Sequence, residues 1–323
     1  MARTLRRRRS GQTWHLAAEL ARDAFLNSIV PKGLSRHNVG EFVLTIDALT
    51  ANALGDHLAT DFQGMFGSSE TRLAEVLRTN ARLAVECIAN SDALYHNYEH
   101  TVLVTLAGRD ILRGRSLREA LSPSDWVHFL VACLMHDIGY VRGLLGGDTE
   151  GAYVVDETGR IVELPRGASD AALTQYHVDR SKLFVQSRFE DCDQLDAERL
   201  ARMIEFTRFP APEGRNDREL DAETGLVRAA DLIGQLGDPL YLRKANRLYH
   251  EFAEAGINER LGYTSPADVV DRYPTFFWAS VSAQIAPAVR HLRVTAEGRR
   301  WLAQLHANVF RAEHGEDLNE HER

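Results

Sequence analysis

Two short motifs place metal-competent side chains at spacings that chemistry can use. Residues 95–100 read Tyr95-His96-Asn97-Tyr98-Glu99-His100, and further on His136 and Asp137 stand side by side after Cys133-Leu134-Met135. His96 and His100 are four apart, so on a helix they share one face. The His136-Asp137 pair closes an apolar run and offers an imidazole nitrogen next to a carboxylate. Such donors suit a hard or borderline divalent cation. His100, His136 and Asp137 are the first three ligand candidates, and a fourth donor still leaves positions for water and substrate. Asp231 is the best offer, a lone acid in Val227-Arg228-Ala229-Ala230-Asp231-Leu232-Ile233. A carboxylate buried there is costly unless something cationic compensates it. Taken singly, each residue has a plainer reading: a satisfied core histidine, a helix-terminal acid, or an ion pair between Asp231 and Arg228. The set together favours a metal.

The elements that must position these groups are mostly helical. Trp14, Ala17, Leu20, Ala21, Ala24 and Phe25 follow helical spacing, as do Phe42, Ile46, Leu49 and Leu54. A third amphipathic helix spans 71–90, and the motif helix, about 96–113, buries Val102, Leu103, Leu106 and Ile111. Ser122-Pro123-Ser124-Asp125 reads as a capped helix start. The helix it opens, Trp126 to Met135, is apolar almost all round and belongs at the centre of the fold. From Gly143 to Gly167 the pattern breaks. Tyr153-Val154-Val155, a turn at Asp156–Gly159 and Ile161–Leu164 read as a small β-hairpin on an insertion, either a lid or a decoration. Helices resume near 169–189, 196–207, 222–236, 241–255, 266–291 and 295–313. The expected fold is all-α, a helical bundle with a small β-hairpin insertion after the His-Asp motif. Residues 1–70 form an N-terminal helical portion and 71–323 the metal domain.

Bulk properties narrow the function. The chain has 323 residues, 44% hydrophobic and 26% charged, as in an ordinary soluble globular protein. A net charge of −8 argues against a nucleic-acid-binding surface. Arg3 and Arg6 to Arg9 are the exception and read as a solvated, disordered tail. Cys87, Cys133 and Cys192 have no CxxC spacing, which points to reduced thiols and a cytoplasmic location. No apolar stretch reaches the ~20 residues of a membrane span, and no signal core follows the arginines. A homo-oligomer is compatible with all of this.

These motifs resemble the HD superfamily of metal-dependent phosphohydrolases. The tyrosine-His-Asn-x-x-His form of residues 95–100 is similar to the catalytic motif of class I cyclic-nucleotide phosphodiesterases. The resemblance covers roughly residues 90–240 and implies an HD-domain bundle holding two divalent ions (Mn, Mg, Fe or Zn). His100, His136, Asp137 and Asp231 would be first-metal ligands, with Asp137 bridging to the second. His96 would be the general acid that protonates the leaving oxygen, its tautomer held by Glu99 or Glu205. The implied activity is hydrolysis of a small-molecule phosphoester, with a nucleotide favoured, by metal-activated water.

The sequence departs from that family where a second histidine should follow the His-Asp pair. Tyr140 and Arg142 stand there instead, and His177 is the candidate replacement, as ligand or outer partner. Gln235 and Gln284 are candidates for the family's nucleotide-gripping glutamine. Arg142, Arg180, Lys182 and Arg208 are candidate phosphate partners. His128 reads as a core or surface histidine, and Phe276, Phe277 and Trp278 read as core. Two other functions stay in view. An HD-type di-iron oxygenase uses more histidines between the His-Asp pair and the final Asp, an interval that here holds only His177. A non-catalytic nucleotide-binding regulator need not keep His96 beside a full ligand set.

Overall fold

The structure, a computed structural model, describes residues 45–209 and 222–320, with side chains as far as 315. The helices expected around 14–25 and Phe42, and the arginine cluster, lie outside these residues. From Thr45 onward the described residues form one compact unit.

Thr45 caps α1 (Ile46–Phe66), its hydroxyl accepting from Ala48 N. The face α1 buries is Ala51, Leu54, Leu58, Ala59 and Phe62, packed along α2 (Thr71–Ile88). Ile46 and Leu49, expected on the apolar stripe, are instead 74% and 48% exposed. The small residues Ala51, Gly55 and Ala59 allow the closer approach to α2, and they lie on a different face. A boundary near residue 70 would fall between these two packed helices.

Asn97 opens α3 (Tyr98–Ser116), its side chain accepting from Glu99 N at 2.9 Å. The fully buried line of α3 runs through His100, Val104, Ala107 and Ile111, with Val102 and Leu106 partly buried beside the core. Ser122 and Asp125 form a reciprocal cap on α4 (Pro123–Met135), with Pro123 in its first turn. Every residue of α4 from Trp126 onward is buried, and α2, α3, α6 and α7 all pack against it. It is the central helix, as its all-round apolar sequence predicts.

A short 3₁₀ turn, Ile138–Tyr140, follows the His-Asp pair. The insertion then forms the expected hairpin, β1 (Ala152–Val154) antiparallel to β2 (Ile161–Glu163), with Tyr153 opposite Val162. Asp156 closes the turn by accepting from Thr158 N and Arg160 N. Among the described residues a 3₁₀ turn, Asp170–Leu173, comes next, and then α5 (His177–Phe189), α6 (Ala197–Glu205), α7 (Glu223–Leu236) and α8 (Tyr241–Glu254).

The single helix expected over 266–291 is broken. A short α9 (Ile257–Leu261) precedes α10 (Pro266–Asp271) and α11 (Tyr273–Phe276), and a π turn, Phe277–Val281, leads into α12 (Ser282–Leu292). Pro274 sits in the first turn of α11, where its missing N–H has no ladder partner to lose. Three consecutive aromatics cannot face one side of a helix. Phe277 is buried, while Trp278 is 55% exposed and is not a core residue. The last helix is α13 (Ala296–Glu320). No helix among the described residues is long and apolar enough to cross a membrane.

Candidate metal centre

Helices α3, α4 and α7 carry His100, His136 and Asp231, and two glycines set how closely their carriers approach. A Cβ on Gly234 would lie 2.7 Å from both Cα and N of Val104. Val104 is one turn beyond His100, and Gly234 is nearly one turn beyond Asp231. The bare backbone at 234 therefore lets α7 press His100 and Asp231 together. Gly139 does the same after Asp137: a Cβ there would lie 2.7 Å from Ser181 N and run into the carbonyl of His177. Ser181 Oγ donates to His136 O at 2.8 Å and accepts from Gly139 N at 2.9 Å. The start of α5, with His177, is thus stitched to the His-Asp turn.

Three of the four ligand candidates, His100, His136 and Asp137, converge, and Asp231 reaches the two histidines. His136 Nδ1 lies 2.9 Å from Cys133 O, a carbonyl that accepts its proton and leaves the Nε2 lone pair free. That Nε2 is 3.3 Å from His100 Nε2. Asp137 Oδ2 lies 3.3 Å from His100 Nε2 and 3.1 Å from His136 Nε2, yet it is buried with no aligned hydrogen-bond donor. Asp231 Oδ1 is 3.2 Å from His100 Nε2 and 3.7 Å from His136 Nε2. Donors bound to one cation at ~2.0–2.1 Å sit about 3.0–3.4 Å apart. The spacings among His100, His136 and Asp137 match, and their ligand atoms all fall within 4.8 Å of one another.

The charges call for a cation. His100, His136 and Asp137 are at most 4% exposed. Burial alone would keep the imidazoles neutral, but Asp137 and Asp231 outweigh it and push His136 up to about 9. His100 is raised against burial by the same two carboxylates. Burial likewise opposes ionisation of Asp137, yet His136 and His100 hold its carboxyl well below the usual range. Protons gather where a divalent ion would neutralise the same carboxylates. Geometry and charge both fit a bound metal.

His96 stands beside this cluster, its ring centroid 5.5 Å from that of His100. Its Nδ1 is 2.6 Å from Glu251 Oε2, and Glu251 Oε1 accepts from Tyr95 N at 2.6 Å and His96 N at 3.2 Å. Burial works against the imidazolium, but the Glu251 charge and hydrogen bond raise the pKa above its ordinary value. The partner expected for His96 was Glu99 or Glu205. Glu99 instead pairs with Lys244, and Glu205 with Lys182 and Arg208. Glu251 was missed although it left a trace: it continues the buried stripe Tyr241, Ala245, Leu248 on α8. An acid on such a stripe needs a partner, as Asp231 does.

His177 lies on the far side of Asp137. Its Nδ1 meets Thr174 O at 2.5 Å, and its Nε2 is 3.6 Å from Asp137 Oδ1. Burial lowers its pKa, leaving a neutral ring with a free Nε2. Tyr140 stacks on both outer histidines, at 4.9 Å and 12° from His96 and at 4.5 Å and 15° from His177. In the sequence Tyr140 marks only a departure from the histidine pattern of the HD superfamily.

The expected phosphate partners are otherwise engaged. Arg180 is fully buried, and each of its N–H groups has an acceptor: Gly139 O, Val141 O, Val154 O and both oxygens of Asp148. It ties the hairpin insertion to the His-Asp turn and does not face a substrate. Arg142 bridges Asp92 and Asp170 and donates to Ala168 O. Lys182 and Arg208 share Glu205 and Asp179, a charge-balanced cluster one turn from His177. Gln235 is half-buried on α7, one turn beyond Asp231. Gln284 donates to Ser280 O in the π turn that precedes its helix. His128 is a core histidine that accepts from Asp196 N at the start of α6. Cys87, Cys133 and Cys192 are free thiols.

A family model described as Npun_R2479-like matches residues 44–315. No curated protein and no solved structure matches the chain.

Proposed function

We infer that this chain, which belongs to the Npun_R2479-like family, is a metal-dependent hydrolase of a small-molecule phosphoester, with a nucleotide as the favoured substrate. One observation carries the reading. Two imidazoles and a carboxylate converge on one point, a second carboxylate, Asp231, reaches the same two imidazoles, and a third imidazole, held by its own carboxylate, stands next to them.

His100, His136, Asp137 and Asp231 would hold a divalent cation. The other oxygen of Asp137 faces His177, so the same carboxylate would serve a second ion. Such ions supply Lewis-acid stabilisation of phosphoryl oxygens and lower the pKa of a bound water. The chain supplies the rest. Glu251 fixes His96 with Nδ1 as donor, which leaves Nε2 to hold a proton toward the site. The Glu251 charge favours the protonated ring, the form a general acid needs to protonate a leaving alkoxide. Burial of the cluster keeps bulk water from screening these charges. Arg180 has no role in substrate binding in this reading. Lys182, five residues after His177, and Arg208 are balanced by Glu205 and Asp179.

The test is elemental analysis of the purified protein, followed by cyclic and linear nucleotides offered with Mn²⁺, Mg²⁺ or Fe²⁺. The expected outcome is bound metal, metal-dependent hydrolysis, and loss of both in His136→Ala and Asp137→Ala. Metal content unchanged in both variants would end the proposal. Oxygen consumption with an inositol- or phosphonate-like substrate would assign the site to an oxygenase.

A further inference from the structure

Tyr140 is 1% exposed and lies between two imidazoles that do not touch each other. His96 is held on one edge by Glu251 and His177 on one edge by the Thr174 carbonyl. An imidazole bonded through a single nitrogen still swings about that bond. A flat ring against its face removes the swing. The Tyr140 ring lies within 15° of both imidazole planes, so one side chain sets the plane of both.

Tyr140 is itself held by more than packing. Arg180 Nε takes Gly139 O at 2.8 Å and Arg180 Nη2 takes Val141 O at 2.8 Å, the carbonyls on either side of Tyr140. Asp148 and Val154, from the hairpin insertion, complete the set around the guanidinium. Thr174, in the turn before α5, holds His177 through its carbonyl. The insertion, Arg180 and Tyr140 form a chain of contacts that ends on His96 and His177.

We propose that Tyr140 is a positioning residue. Its ring, clamped through Arg180, fixes the orientation of His96 and His177 so that both free Nε2 atoms face the His-Asp cluster. The catalytic meaning of those two histidines rests on the hydrolase reading; their orientation by Tyr140 does not. The ring plane matters here and the phenol oxygen is secondary, so Tyr140→Phe should substitute and Tyr140→Leu should not. A misplacement of about 1 Å in a catalytic group costs on the order of 10²-fold in rate.

The experiment is NMR of the histidine ring protons in the full chain, assigned with His96→Asn and His177→Asn. In the native protein both histidines should resonate upfield, shielded by the stacked phenol ring. Tyr140→Phe should keep that shift, and Tyr140→Leu should lose it. Arg180→Lys, which cannot reach both carbonyls, should weaken it. Unshielded native signals, or shielding that survives Tyr140→Leu in a folded protein, would overturn the proposal. If Tyr140→Leu does not fold, the native and Tyr140→Phe spectra decide. In turnover assays Tyr140→Leu should lower kcat with KM held, and Tyr140→Phe should restore it. If the native chain hydrolyses no phosphoester while the ring signals behave as stated, the hydrolase reading fails and the positioning role stands.

Discussion

His96 Nδ1 and Glu251 Oε2 meet at 2.6 Å although 155 residues separate them in the chain. An ionised carboxylate only accepts, so the imidazole donates and its tautomer is set. Glu251 also takes the backbone N–H groups of Tyr95 and His96. One buried acid on α8 therefore fixes both the start of the motif segment and the ring that the proposed chemistry needs.

Glu251→Gln should keep an acceptor for Nδ1 but lose the charge that raises the His96 pKa. A general acid works below its pKa, so the alkaline limb of the rate profile should move to lower pH. The rate near neutrality should fall by about 10–100-fold, as for other outer partners of active-site histidines. Glu251→Ala also strands two N–H groups, at ~1–3 kcal/mol each. Thermal melts would show that loss. An unmoved alkaline limb in Glu251→Gln would mean that His96 is not the acid.

Metal uptake should release protons. Below a pKa of about 9 the His136 ring of the metal-free protein carries a proton that a cation must displace. Apparent metal affinity should therefore rise with pH through neutrality. Titration calorimetry in buffers of different ionisation enthalpy measures the release directly. Heats identical across buffers would exclude displacement.

The same group gives the metal-free protein a pH signature. The folded pKa of His136, about 9, lies above the unfolded value of ~6.5. Its stabilising contribution is complete below ~6.5 and is lost as pH rises through about 9. The melting temperature of the chelated protein should fall across that window. Saturating metal should flatten the fall and, at a hundred times its Kd, add ~2.7 kcal/mol.

Arg180→Ala should cost about 3–5 kcal/mol, because it leaves buried Asp148 without its partner. It also frees the carbonyls that flank Tyr140. If Arg180 bound phosphate instead, the variant would melt as the native protein does and show only a raised KM. Denaturant unfolding beside steady-state kinetics separates the two outcomes.

The parts of the fold legible in sequence were those governed by local rules. The Ser122 cap, the apolar α4 and the turn at Asp156–Gly159 follow from periodicity and turn chemistry within a few residues. His100 stands out because it shares a helical face with His96, and His136, Asp137 and Asp231 because they close or interrupt apolar runs. Glu251 carried the same mark but lay outside the motif region, and only the fold shows that α8 returns to His96. Arg180 was misread for a related reason. An arginine three residues after a candidate ligand histidine looks like a phosphate partner, and nothing local reveals that Asp148 and three carbonyls enclose it. The break in 266–291 depends on which aromatic each turn can bury, a matter of packing.

Gly234→Ala tests whether close helix contact builds the cation site. Alanine is the better helix former, so local propensity favours the variant by up to ~1 kcal/mol. Its methyl would meet the Val104 backbone at 2.7 Å, and backbone cannot rotate aside as a side chain does. Overpacking of this kind typically costs ~1–3 kcal/mol, so steric repulsion should win. The relief available is to push α7 away from α3, which draws Asp231 from His100, now 3.2 Å apart. The expected result is a lower melting temperature together with weaker metal binding, although the substituted residue is no ligand. A variant that melts higher and keeps its metal would show that α3 and α7 tolerate separation and that the site does not depend on their contact.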